Sequence, residues 1–364
     1  MKSITLELSI GVFEKLNLDD LVKQGCSLIE FLCFLSIGDI EEYVQETYYK
    51  RKPQYNVGAM IRLGIAYYFY KGKGYAKIVK SLTEYETALL RIKKAPSKSE
   101  IHNFIHYRLK EKGFEEVMSR IVPALHHLAN EKGYSRLSQD STPLEASRHD
   151  KYAEYNVHYG CKMDKGHITM QGPVPLWCTH TDGQANDSPH YKPHAYKLAS
   201  LGVSAEFENM DGQYDSFENY AICTQVLGAY PYITLPKDAV VNEEGKIKRI
   251  DHWCNRLWKE GGNPKNPIEE KLKFLFEQGR IEQVGAYYRN KNLIEGMPKE
   301  KTDLRKEQER IHNHIKDTVK FDVRNRMNSK KSLHIKAAFV SYQLLVLTAL
   351  QNDLNPNEFG FIDR

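Results

Sequence analysis

The period of the hydrophobic pattern changes near residue 133, and this change limits the folds open to the chain more than any other feature. Upstream, apolar residues recur at helical spacing. Val57 to Tyr70 reads as an apolar helix ended by Lys71-Gly-Lys-Gly74, and Tyr75 to Leu82 starts another. Pro96-Ser-Lys-Ser-Glu100 carries a capping box, Ser97 with Glu100, that opens a helix from Lys98 to Lys110. Downstream the texture is that of strands: Ser135 to Glu145, Asn156 to Lys162 with His167 to Met170, and Val174 to His180, with Asp164-Lys-Gly166 read as a turn. A polar loop, Thr181 to Ser188, leads into a helix from about Lys192 to Leu201. The strand Ala205 to Met210, the helix Ser216 to Leu227 and the strand Tyr230 to Leu235 follow. The expected architecture is therefore an α/β sheet flanked by helices, preceded by an all-helical region.

Three acidic residues stand out against this frame. Asp140 lies in Arg136-Leu-Ser-Gln-Asp-Ser-Thr-Pro143, Asp211 in Met210-Asp-Gly-Gln-Tyr-Asp-Ser216, and Glu309 in Arg305-Lys-Glu-Gln-Glu-Arg-Ile-His-Asn-His-Ile-Lys316. Two divalent cations roughly 3.5–4 Å apart can activate an attacking oxygen and stabilise a leaving one, provided several hard oxygen ligands converge on them. Steps of four, three and four place Arg305, Glu309, His312 and Lys316 on one helical face, a carboxylate flanked by groups that can bind phosphate. Each acid also has a plain structural reading. Asp140 before Ser-Thr-Pro suits a turn or cap, Asp211-Gly212 is a common turn dipeptide, and Glu309 sits among Asp303, Glu307 and Asp317 on what could be a solvated helix. Asp215 is the reserve candidate for the second position.

The pattern Arg305-x3-Glu309-x6-Lys316 resembles the Tyr-Arg-Glu-Lys signature of DDE transposases from bacterial insertion sequences. Asp140-Ser-Thr and Asp211-Gly-Gln-Tyr-Asp-Ser look like that family's first and second acidic motifs, while Thr302 stands where the signature has Tyr. The resemblance implies a ribonuclease H-like mixed sheet in which Asp140 and Asp211 become neighbours at one edge. It implies an end-binding helical region over 1–130, a core over 131–236 and 300–364, and an insertion over 237–299. It further implies catalysis by Asp140, Asp211 and Glu309 with two Mg²⁺ or Mn²⁺ ions, and a homodimer on double-stranded DNA that engages terminal inverted repeats and target DNA. Arg305, His312, Lys316 and Lys320 are then expected to contact DNA, as are Lys98 and Arg108 in a helix-turn-helix-like unit. The two rivals are a transposase-derived DNA-binding protein without catalysis and a ribonuclease H-like nuclease without strand transfer.

Composition narrows the class. With 41% hydrophobic and 27% charged residues the chain is not disordered, and its net charge of +5 is concentrated in a Lys- and Arg-rich stretch from Lys291 to Lys336 that suits a polyphosphate backbone. The six cysteines form no Cys-x-x-Cys pair and read as reduced thiols of a cytoplasmic protein. Leu28 to Ile37 and Ala337 to Leu350 read as too short or too polar to span a bilayer, so no membrane association is expected. Lys71-Gly-Lys-Gly74 lacks the spacing of a phosphate-binding loop. His180, Asp182, His190 and His194 read more readily as surface residues of a polar loop than as a metal site. Within the insertion Asn242 to Lys246 reads as a turn, Gly261 to Pro267 as a loop and Glu269 to Gln278 as a short amphipathic helix. Trp253 and Trp258 can either stack on an unpaired base or anchor the insertion's own core.

Overall fold

A computed structural model describes residues 9–13, 15–70, 74–157, 159–258, 266–298, 304–323 and 328–359. The N-terminal region is helical throughout its described length, in short segments that include Val57–Phe69, Tyr75–Ser81 and Lys98–Asn103. The Ser97 capping box is present in both directions: Ser97 Oγ accepts from the Glu100 amide, and the Glu100 carboxylate accepts from the Ser97 amide. The regular geometry of this helix breaks at Lys110, where φ is 57°. The chain passes through a π-helical turn, Phe104–Leu109, and continues as Lys110–Glu131.

A mixed six-stranded sheet follows, built from β1 (Arg136–Glu145), β2 (Glu154–Asn156), β3 (Cys161–Gln171), β4 (Val174–Asp182), β5 (Phe207–Met210) and β6 (Tyr230–Ile233). The order is β2-β3-β1-β5-β6, with β4 also paired to β3. The β1–β3, β2–β3 and β3–β4 pairs are antiparallel, whereas β1–β5 and β5–β6 are parallel. The helices Ser188–Ser200 and Phe217–Gln225 connect β4 to β5 and β5 to β6.

Asp164-Lys-Gly166 is not a turn. The β1 ladder runs straight through it, pairing Leu144 with Asp164, Pro143 with Lys165 and Thr142 with Gly166. A Cβ at Gly166 would make only ordinary contact with Leu144 Cδ1 at 3.4 Å and Phe321 Cε1 at 3.5 Å. Asp164 is buried because Lys331 reaches it from the C-terminal helix, with Nζ 2.6 Å from Asp164 Oδ2 and 2.8 Å from Asp150 Oδ2. Removing one member of such a buried pair costs roughly 3–5 kcal/mol, since the survivor is left charged in a dry site.

The C-terminal helix Asn328–Gln351 packs against Lys110–Glu131, β4 and Val57–Phe69, so one core joins the helical region to the sheet. By length and composition Lys330–Gln351 could cross a membrane, contrary to the expectation for its apolar stretch, but it lies entirely buried inside the fold. Two lysines of the basic stretch are consumed internally. Lys331 closes the cluster just described, and Lys336 contacts Glu111 Oε1 at 2.9 Å and Glu115 Oε2 at 2.8 Å.

The segment from 237 to 298 holds more helix than its sequence suggests, adding Ile247–Leu257 and Ile281–Glu295 to Ile268–Glu277. These helices share a small core of Ile250, Cys254, Leu272, Leu275 and Val284, which extends to Ala221 of the Phe217–Gln225 helix. Gly285 permits the contact, because a Cβ there would fall 1.9 Å from the Phe217 carbonyl oxygen. Most of the loop expected from Gly261 to Pro267 lies outside the described residues.

Candidate active site

Strand register brings the two aspartates together. In the parallel β1–β5 ladder Gln139 pairs with Met210, so the next residue on each strand, Asp140 and Asp211, lies at the same end of neighbouring strands. Asp140 Oδ1 accepts from the Ser141 amide at 2.8 Å. Asp211 leaves β5 in extended conformation and caps the short turn Gly212–Tyr214, its Oδ1 accepting from the Gln213 amide at 2.8 Å. The helix Leu304–Thr318 packs over β1 and β5 with Ile311 and Ile315 buried, which carries Glu309 to the same edge. An ion pair between Arg136 of β1 and Glu307 ties this helix to the sheet.

Asp140, Asp211 and Glu309 line one cavity of about 480 Å³. Asp187, Lys165, His312 and Lys316 also line it. Four carboxylates thus face two lysines, an excess of negative charge that needs further cations before any phosphate could enter. Asp187 and Lys165 have no sequence signal. Asp187 precedes a helix as a cap would, yet its side chain makes no bond to that helix. It accepts instead from Ser141 Oγ at 2.7 Å and Lys165 Nζ at 2.9 Å, fixing the residue next to Asp140.

The cations and the imidazole differ in character. Burial pushes Lys316 below the usual lysine range, partly offset by Asp317. Burial, reinforced by Lys316, pushes His312 down to about 3, so the ring is neutral and brings no positive charge. His312 is 3% exposed, and its Nε2 has no hydrogen-bond partner. The donor chemistry of the cavity, carboxylate oxygens with one buried imidazole nitrogen, suits a divalent cation. As the side chains stand, no three His, Cys, Asp or Glu among the described residues are gathered tightly enough to hold one.

No protein-family model matches the chain, and no curated protein matches it. Among solved structures, the cryo-EM structure of a piggyBac transposase synaptic complex with hairpin DNA is similar at 10% identity and a TM-score of 0.38, over 90% of this chain and 76% of that one. A similarity of that size carries no argument about activity. The reading rests on the site.

The other candidate residues are scattered. Asp215 does not line the cavity; it is gripped by Arg289, whose Nε lies 2.9 Å from Oδ1 and whose Nη2 lies 3.0 Å from Oδ2. Arg305 is on the Glu309 helix, but its side chain lies outside the described residues. Lys320 follows that helix, outside the cavity lining, and its amide donates to the Tyr68 carbonyl at 2.7 Å. Lys98 is exposed in the N-terminal region, whereas Arg108 donates to the Tyr48 carbonyl at 2.7 Å and covers the Tyr49 ring. Trp258 stacks on Phe274 with ring centroids 4.4 Å apart, and the Arg280 guanidinium sits 3.9 Å from the Trp253 ring centre. Both tryptophans pack against the insertion's own core.

Of the histidines expected at a polar surface, His194 is interior and His180 and His190 are partly covered. His194 is 1% exposed, bonded by Nδ1 to Thr169 Oγ1 at 2.9 Å and by Nε2 to Thr179 Oγ1 at 2.8 Å. His190 stacks on His167, with ring centroids 4.4 Å apart. The β-ladder explains the difference, because His194 faces the sheet across β3 and β4 rather than the loop.

Proposed function

We propose that the chain is a metal-dependent transposase that cleaves DNA strands and joins the freed ends to a target. One observation carries this reading: Asp140, Asp211 and Glu309, from three distant segments, line a single cavity. The succession of antiparallel strands β1 to β4, helix, strand, helix and strand supports a ribonuclease H-like core, with the aspartates at one end of adjacent parallel strands.

Asp140, Asp211 and Glu309 would hold two Mg²⁺ or Mn²⁺ ions, which supply a polarised water and neutralise charge at phosphorus. Ser141 and Asp187 fix the β1 end of the site. Lys165 and Lys316 offset the negative charge of the strand being cut. The helical region to about residue 130 would recognise terminal repeats, and two protomers would bridge paired ends. A groove of about 1320 Å³ in that region, lined by Lys50, Arg51, Lys52, Lys93 and Lys94, offers phosphate contacts, although Glu41, Glu42 and Glu46 share its walls.

The test is to incubate the full chain with duplex DNA flanking its gene and either Mg²⁺ or Mn²⁺. Mapped breaks at fixed ends, followed by joined products, are expected. Breaks without joining would favour the nuclease reading, and specific binding without breaks the regulator. Cleavage retained by the Asp140→Asn variant would overturn the site.

A further inference from the structure

We infer that His312 is a nitrogen ligand to a divalent cation held in this cavity with Glu309. The inference rests on the metal-dependent reading above and deepens it.

His312 follows Glu309 by three residues on the Leu304–Thr318 helix, so the two side chains project from the same side. Both line the cavity that Asp140 and Asp211 share. Ile311 and Ile315 anchor that helix in the core and give the pair a fixed base. The ring is 3% exposed, and Nε2 has no hydrogen-bond partner.

A buried polar atom left unpaired costs about 1–3 kcal/mol, so natural proteins keep few of them without a use. Two other buried imidazoles use both of their nitrogens. His194 bonds through both nitrogens, and His126 bonds to Gln171 through Nδ1 and to Asn130 through Nε2. His312 differs in lining a cavity rich in carboxylates. An imidazole beside hard oxygen ligands is a donor set that Mn²⁺ accepts more readily than Mg²⁺, which prefers oxygen alone. The site therefore favours Mn²⁺.

The rival role for the same nitrogen is a hydrogen bond to a DNA phosphate oxygen. Mn²⁺ titration of the full chain, read by electron paramagnetic resonance, separates the two. Electron spin-echo envelope modulation of the bound Mn²⁺ should show a directly coordinated imidazole nitrogen in the wild type. The signal should vanish in His312→Gln, with Mn²⁺ affinity lower by about tenfold and Mg²⁺ affinity changed less. His312→Asn is the second variant, and circular dichroism of both verifies the fold. Mn²⁺ bound in an Asp140- and Asp211-dependent way without nitrogen coupling would overturn the His312 assignment and leave the function intact. Coupling that persists in the folded variants would do the same. Wild-type protein that binds no Mn²⁺, with or without duplex DNA, would overturn both.

Discussion

The cavity beside Glu309 and the helical insertion over 237–298 contain similar ingredients, and they treat them differently. In the insertion, charged groups are closed on one another. Arg289 grips Asp215, Lys271 holds Asp251 at 2.7 Å, and Glu244 collects Gln283, Arg249 and Trp253. At the cavity and just beneath it, Asn209 Nδ2, Gln308 Nε2 and His312 Nε2 are buried without a hydrogen-bond partner. Among the described residues of the insertion no buried side-chain nitrogen or oxygen is left so. Polar satisfaction therefore separates the insertion from the site here better than charge or residue type does.

The sharpest way to break this contrast is to remove the cavity acids one at a time. Asp140→Ala, Asp211→Ala and Glu309→Ala should each lower metal-dependent DNA cleavage by on the order of a thousandfold or more. Their melting temperatures should stay equal or rise, because removing an acid relieves repulsion among neighbouring carboxylates. A variant that loses activity only because it unfolds would place that acid with the scaffold.

Asp215→Ala should show the reverse. Both partners of the Arg289 pair are largely covered, with side chains 10% and 13% exposed, so losing the carboxylate leaves a buried guanidinium. A stability loss of roughly 3–5 kcal/mol in denaturant titration is expected. Asp215→Ala that unfolds like wild type but no longer cleaves would exchange the roles of Asp211 and Asp215.

These two aspartates show where sequence reading reaches and where it stops. They lie in one motif, and no local rule distinguishes them. The strand register and an arginine from a helix more than seventy residues away do. The strand and helix alternation after residue 133 is legible because burial on one face imposes a period. The Ser97 cap is legible because its partners are three residues apart. Asp164-Lys-Gly166 reads as a turn because its strand character comes from pairing with Thr142, Pro143 and Leu144 and from the ion pair with Lys331, which are remote in sequence. The basic stretch misleads for a related reason: Lys331 and Lys336 find acids in the 111–164 region, and only the fold shows it. Asp187 is invisible as a wall of the cavity because it looks like an ordinary helix cap.

Glu208 sharpens the comparison from within the sheet. It lies three residues before Asp211, fully buried, and its Oε2 accepts from Tyr191 Oη and Cys223 Sγ. Burial pushes it up to about 7, partly offset by these two bonds. A folded-state value above the unfolded one means that its contribution is fully present below the unfolded value. That contribution is lost as pH rises through about 7. Thermal unfolding should therefore show stability falling between about pH 4.5 and pH 7, by up to about 3 kcal/mol from this group. Glu208→Gln should flatten that slope and be the more stable protein at pH 8. An unchanged pH profile would show that Glu208 stays ionised and is paired by other means.

The smallest effect concerns Lys316, which stands at the boundary between scaffold and site. Burial lowers its proton affinity, and it lines the cavity beside Glu309. If its task is to meet one DNA phosphate, Lys316→Ala should weaken binding nearly equally for specific and random duplexes. The slope of log affinity against log salt should become shallower by about one. Lys336→Ala is the matched control, since that lysine is held by Glu111 and Glu115; it should cost stability and leave the salt slope alone. Equal slopes for wild type and Lys316→Ala, measured by fluorescence anisotropy across a salt series, would assign Lys316 to holding the carboxylates of the cavity. The contrast between an open site and a closed scaffold would then have to be drawn on the other side of this residue.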